Sequence, residues 1–316
     1  MRGAFFVDKK IVEQIKKICG SEKVFEKVKL SEYTSFKTGG PADCLVRPSS
    51  IDELKTVIEF VREKNIPYYV IGNGTNMLVS DDGFKGVIIA LKDLNGDIVF
   101  KDTDERDKVM VLAYAGCTLA RLSSEAASKG LQGTEFASGI PGSIGGAVVM
   151  NAGAYGGEIK DILEYADVLD EDGKVVRLSN SELKFGYRRS IIQEKNYIVL
   201  SVAFVLKRGD EKAIKAEIRE LNERRREKQP LEYPSAGSTF KRPEGYFAGK
   251  LIEDSGLKGY RIGDAQVSEK HCGFVVNRGK ASSEDIYELI GNVIATVYEK
   301  TGVQLEPEIK LLGFDE

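Results

Sequence analysis

At 316 residues, with 42% hydrophobic and 30% charged residues, the chain has the make-up of an ordinary globular protein large enough for two or three domains. Its 46 basic and 49 acidic residues leave a net charge of -3, which excludes a global positive field for holding nucleic acid. Cys19, Cys44, Cys117 and Cys272 are scattered without a CxxC pair and His271 is the single histidine, so a zinc site is not expected and the thiols read as reduced.

The opening stretch MRGAFFVDKKIVEQIKK turns charged too soon for a signal peptide, and it places Val7, Ile11, Ile15 and Ile18 on one helical face. The next helix is marked by Ser50 and Glu53 in a capping-box pattern, followed by Leu54, Val57, Ile58 and Val61. It should end near Asn65, because Pro67 cannot continue it. A β-prone run, Tyr68 to Ile71, then stops at Gly72-Asn73-Gly74-Thr75-Asn76. Met77–Val79, Gly86–Leu91, Ile98–Lys101 and Val109–Ala115 read as short strands, with residues 93–108 as an exposed hairpin region. A helix over Leu119–Lys129 should close at Gly130.

Between Gly139 and Gly157 lie seven glycines, too many for core packing to justify. A hairpin follows, Tyr165–Leu169 and Lys174–Leu178 around the turn Asp170–Gly173. Residues Gln193–Val205 read as strand. The longest apolar run, Tyr197 to Leu206, is ten residues, strand length and far short of a membrane span. A charged helix over Asp210–Lys228, with Ile214, Ile218 and Leu221 as its apolar stripe, reads as the approach to another domain. That domain should hold a glycine-rich loop at Ser235–Thr239, strands around Gly273–Val276, a helix near Ser283–Lys300 and a last strand, Glu308–Leu312. A cytoplasmic protein without a membrane segment is expected.

Two glycine-rich segments suggest ligand binding. Gly72–Asn76 makes an anion nest possible through successive backbone N–H groups, but Met77 and the missing helix rule out a Rossmann fingerprint. In Ser138-Gly139-Ile140-Pro141-Gly142-Ser143-Ile144-Gly145-Gly146, the glycines let backbone approach a flat or phosphorylated ligand, Pro141 stiffens the loop and two serines add hydroxyls. A flexible linker there would strand Ile140, Ile144 and the apolar run Ala147–Met150 in water.

These segments, with Tyr33–Ala42, FGYRRS (185–190), AGSTFK (236–241), AGKLIEDSGLK (248–258), QVSEKH (266–271) and LEPE (305–308), resemble the UDP-N-acetylenolpyruvoylglucosamine reductase family. The blocks run in family order over nearly the whole chain. Only 50 positions separate Arg188 from Ser238, leaving no room for the longer type's additional loop, so the likeness is to the shorter type. The resemblance implies an α+β fold: an FAD-binding region of vanillyl-alcohol-oxidase type over residues 1–208, with subdomains about 1–92 and 93–208. A C-terminal substrate domain over 209–316 would follow, with the last strand returning to the FAD region. It also implies a reaction in which NADPH reduces FAD and a hydride passes to the enolpyruvyl group of UDP-N-acetylglucosamine enolpyruvate. The product would be UDP-N-acetylmuramate, a peptidoglycan precursor.

By the same resemblance Arg188, Ser238 and Glu308 are the catalytic residues. Residues 72–76 with Ser138–Ser143, Gly145 and Gly146 hold FAD, non-covalently because neither block contains a histidine. Tyr187, Lys241, Lys250, Gln266, Lys270 and Asn277 are the candidates for the substrate. Alone, Arg188 beside Arg189 reads as a surface arginine, Ser238 as turn chemistry and Glu308 as an edge-strand charge, with Glu306 its competitor. An oxidase of the same fold and a non-catalytic nucleotide-sugar-binding regulator are the alternatives. Metal, nucleic acid and membrane are not expected partners.

Overall fold

A computed structural model describes residues 7–314. Residues 1–6, part of the stretch read as turning charged too soon for a signal peptide, lie outside the described residues. The chain forms three packed units in sequence order.

The first unit runs α1 (Lys9–Cys19), β1 (Val24–Glu26), β2 (Ala42–Val46), α2 (Ile51–Glu63), β3 (Tyr68–Ile71), β4 (Met77–Val79) and β5 (Phe84–Ala90). Its sheet has the order β1-β2-β5-β3, with β5 parallel to both neighbours. The two parallel pairings follow from the α2 crossover, whose residues Leu54, Val57, Ile58 and Val61 are buried as their spacing requires. Each such side chain contributes about 2 kcal/mol by leaving water. Ser50 caps α2 by accepting from the Glu53 N–H at 3.2 Å, but the Glu53 carboxylate reaches the N–H of Ser49, not that of Ser50. The capping box is therefore displaced by one residue, because Glu53 also pairs with Lys23. On α1 the buried face centres on Val12, Ile15 and Cys19, with Ile11 and Ile18 only flanking it.

The second unit contains β6 (Val99–Asp102), β7 (Lys108–Tyr114), α3 (Leu119–Ser128), β8 (Leu131–Gln132), α4 (Ile144–Val149), a small ribbon of β9 (Gly153–Ala154) and β10 (Gly157–Glu158), β11 (Leu163–Leu169), β12 (Val175–Ser179), α5 (Ile191–Lys195), β13 (Ile198–Arg208) and α6 (Glu211–Lys228). Its antiparallel sheet is ordered β12-β11-β13-β7-β6, and β8 pairs with β13. Here one sequence expectation fails: Gln193 lies on α5, ahead of the strand, which begins at Ile198. The apolar residues Ala147–Val149, which had no assigned element, belong to the helical turn α4. Both helices are too short to show a period. In addition, α6 packs against α3 and β8, as part of this unit.

The third unit holds α7 (Ala248–Asp254), the small sheet β14 (Arg261–Ile262), β15 (Ala265–Val267) and β16 (Val275–Asn277), then α8 (Ser283–Thr301) and β17 (Lys310–Leu312). Strand β17 leaves this unit and pairs in parallel with β4 of the first. Asp81 adds a second tie, accepting from the Ser283 and Glu284 N–H groups at the start of α8, both at 3.1 Å. All four cysteines are free and buried. Burial pushes the thiol of Cys19 up to about 11 and that of Cys44 up to about 12, so neither supplies a thiolate near neutrality. Among the described residues no helix is long and apolar enough to cross a membrane.

Candidate active site

A cleft of about 1040 Å³ lies where the three units meet. One wall is β3 and the turn that follows it. In that turn Gly74 has φ +62°, and a Cβ there would lie 1.8 Å from the Tyr33 carbonyl oxygen, so only glycine fits. The second glycine-rich segment is joined to it: Asn73 Nδ2 donates to the Pro141 carbonyl at 3.1 Å, and a Cβ on Gly72 would meet Ser143 Oγ at 2.2 Å. A Cβ on Gly142 would instead make only ordinary contact, with Ile140 and Thr75 at 3.8 and 3.9 Å. Two sequence-distant nests thus form one continuous backbone surface.

Arg188 enters the cleft from a tight turn closed by paired hydrogen bonds between Gly186 and Arg189. Its φ of +54° is left-handed, a conformation that costs a non-glycine residue on the order of 1–2 kcal/mol. The guanidinium donates through Nε to Glu308 Oε1 at 2.7 Å and through Nη2 to the Gly153 carbonyl at 3.2 Å. Glu308 comes from the far end of the chain. The segment before β17 lies along the Ser238 loop, with the Glu308 N–H donating to the Thr239 carbonyl at 2.8 Å and Lys241 N–H to the Glu306 carbonyl at 2.8 Å. On the other side, Asn76 Nδ2 donates to the Glu308 carbonyl at 3.3 Å. One extended segment therefore places Glu308 between the first glycine turn and the Ser238 loop.

The electrostatics separate the two competing glutamates. The Glu308 side chain is 10% exposed, and burial raises its carboxyl above the ordinary value even though Arg188 opposes that shift. Glu306 is exposed, and the Lys241 ammonium at 2.8 Å holds its carboxyl low. Burial also lowers the Lys310 ammonium, with Lys241 adding to the effect. Ser238 faces the same cleft, its hydroxyl 3.2 Å from the Phe240 carbonyl. His271 lines the cleft too; burial lowers its imidazole, and its Nδ1 accepts from the Gly273 N–H at 3.1 Å. It is thereby a neutral wall residue at pH 7.

Comparison with known proteins follows this geometry. The model of the UDP-N-acetylenolpyruvoylglucosamine reductase C-terminal domain matches residues 229–312, and an FAD-binding domain model matches residues 42–179. Over 303 residues the chain is 51% identical to the UDP-N-acetylenolpyruvoylglucosamine reductase of Caldanaerobacter subterraneus subsp. tengcongensis, covering 96% of this chain and 98% of that one. The reductase of Clostridium novyi is also 51% identical, with 96% of each chain covered. The chain belongs to the UDP-N-acetylenolpyruvoylglucosamine reductase family. The crystal structure of a reductase of this name from Thermus caldophilus, 38% identical, matches with a TM-score of 0.75 over 90% of this chain and 97% of that one.

For a member of this reductase family, the test is whether the cleft fits FAD. Eleven of the thirteen residues expected to hold it line the cleft: residues 72–76, Ile140–Ser143, Gly145 and Gly146. Gln229 contributes a buried side-chain oxygen with no hydrogen-bond partner among the described residues, as a wall awaiting a ligand donor would. The residues present fit the group. Ser138 and Gly139 are the two that do not line the cleft. Ser138 Oγ accepts from Asn222 at 3.4 Å, and a Cβ on Gly139 would meet Asn222 Oδ1 at 2.6 Å. Their small size serves the approach of α6.

The substrate candidates divide. Tyr187, Lys250 and Lys270 line an adjoining cavity of about 350 Å³ that shares Ser238 and His271 with the cleft. Lys241, Gln266 and Asn277 line neither cavity. Gln266 is buried and bonded to the Gly259 carbonyl at 3.1 Å. Asn277 donates to the Phe36 carbonyl at 3.0 Å and accepts from the N–H groups of Gly279 and Ala281, so its amide is occupied in joining loops. Sequence reasoning missed Tyr69, Gln193, Arg225, Gln229 and Lys310, all of which line the cleft. Arg225 stands in a run of charges that looks solvated throughout, so no local signal distinguished it.

Proposed function

We propose that this chain is an NADPH-dependent UDP-N-acetylenolpyruvoylglucosamine reductase of the shorter type, acting in the cytoplasm in peptidoglycan precursor synthesis and hence in cell-wall growth, shape and division. The observation that carries the proposal is the meeting of Arg188, Glu308 and Ser238 beside two glycine nests in one cleft. In the division of labour proposed, residues 1–208 bind FAD non-covalently together with α6 and Gln229, and the remainder of residues 209–316, with Tyr187, binds the sugar nucleotide. Tyr187, Lys250 and Lys270 are its best-placed candidates, since they line the cavity that adjoins Ser238.

NADPH, a proton and UDP-N-acetylglucosamine enolpyruvate give NADP+ and UDP-N-acetylmuramate. FAD, when bound, carries the hydride from NADPH to the methylene carbon of the enolpyruvyl group. As that carbon gains the hydride, negative charge grows on the neighbouring carbon and its carboxylate. Arg188 meets that charge with a planar donor fork whose direction is already fixed, so little reorganisation is needed. Burial already raises the Glu308 carboxyl, and a substrate carboxylate arriving beside it raises it further, with the Arg188 guanidinium opposing both effects. Ser238 gives its hydroxyl proton to the carbon bearing the carboxylate and recovers one from solvent.

Replacing Ser238 with alanine tests the assignment. The variant should bind substrate and oxidise one equivalent of NADPH per flavin, yet lose on the order of 10²-fold or more in UDP-N-acetylmuramate formation. Product formation at the wild-type rate would remove Ser238 from the reaction.

A further inference from the structure

We propose that Gln193 is a positioning residue for this reaction: its side-chain amide holds the left-handed Arg188 turn in place and ties it to β17, just beyond the segment that carries Glu308. The proposal rests on the reductase reading given above. Gln193 lies on α5, half-buried, on the wall of the cleft.

Its side-chain amide links the end of α4, the Arg188 turn and the C-terminal segment. Its Nε2 donates to the Val149 carbonyl at 2.7 Å and to the Arg188 carbonyl at 3.2 Å. Its Oε1 accepts from Lys310 Nζ at 3.0 Å, two residues beyond Glu308. This set of partners admits one amide orientation, because carbonyls only accept and an ammonium only donates. A flip would set the ammonium against an NH2 and the carboxamide oxygen against two carbonyls.

What the amide holds needs holding. Arg188 has φ +54°, which its own residue type disfavours, and the surrounding contacts must therefore impose it. Asn151 grips the start of the turn through the Gly186 carbonyl at 3.0 Å, and Ser190 Oγ binds the same Val149 carbonyl at 2.8 Å. Gln193 alone among these side chains also bonds to the C-terminal segment. It thus sets the Arg188 backbone and the Glu308 segment relative to one another, although it hydrogen-bonds to neither the Arg188 nor the Glu308 side chain. Its influence on the reaction runs through Arg188.

The test uses the FAD-loaded enzyme with Gln193→Met, which keeps the side chain's length and removes its polar contacts. The two half-reactions are followed separately. The expected result is a roughly ten- to hundredfold lower rate of flavin reoxidation by UDP-N-acetylglucosamine enolpyruvate, with bound flavin and its reduction by NADPH changed less than about twofold. In an Arg188→Ala background the same substitution should add less than about twofold, because both act through one group. Gln193→Glu keeps the Lys310 partner but loses both donors, and it should fall as far as Gln193→Met; it is the variant to read if the methionine protein loses FAD. Wild-type reoxidation in either variant, or an equal penalty with and without Arg188, would overturn the proposal. A wild-type enzyme that fails to turn over this substrate would instead sink the reductase reading itself.

Discussion

A buried carboxyl paired with an arginine can be held by either of two opposed forces, and at Glu308 desolvation outweighs the pairing. The folded protein therefore binds this proton more tightly than the unfolded chain. Stability from Glu308 is fully present below its ordinary value of 4.5 and is lost as pH rises through the raised folded value. Glu308→Gln removes the titration. The expected outcome is that wild-type stability, measured against the variant by urea unfolding, declines as pH rises above 4.5 and through the raised folded value. A difference that grows with pH would show that Arg188 dominates. Arg188, Ser238 and Glu308 were each ordinary when taken singly; what made them legible was their place in ordered blocks. Gln193 had no such block, and its role depends on carbonyls of residues 149 and 188 that only folding brings near.

At the scale of elements, periodic and capped segments were readable, while short ones were not. The α2 stripe, the α3 stop at Gly130 and the hairpin of β11 and β12 all follow from spacing and turn chemistry. By contrast α4 and α5, of six and five residues, complete too few turns to leave a pattern. Both nevertheless position the site, since α4 carries Gly145 and Gly146 and α5 carries Gln193. Caps can be tested apart from catalysis at α2, which buries its apolar face away from the cleft. Ser50→Ala should lower stability by about 1 kcal/mol in urea unfolding, with turnover unchanged. No loss would mean that the Glu53 bond to Ser49 suffices to fix the start of the helix.

For the whole molecule, the informative feature is that Glu308, proposed as catalytic, reaches the cleft only because the chain returns. Strand β17 pairs with β4, 231 or more positions earlier, and this pairing brings Glu308 beside the turn at Gly72–Asn76. The final apolar run was visible as a strand, and its return to the FAD region followed from the family resemblance. Its partner strand could not be read locally, because parallel pairing leaves no turn between the strands. The placement of α6 was misjudged for a related reason: a highly charged helix gives little indication of which body it covers. The cleft between the units is where both half-reactions must occur, so they should be separable in one anaerobic absorbance experiment on the purified, FAD-loaded protein. NADPH should bleach the flavin bands, and UDP-N-acetylglucosamine enolpyruvate should restore them with formation of an equivalent of UDP-N-acetylmuramate. Bleaching that only oxygen reverses would contradict the reductase assignment and favour an oxidase, and a protein that binds no FAD would contradict it at its base.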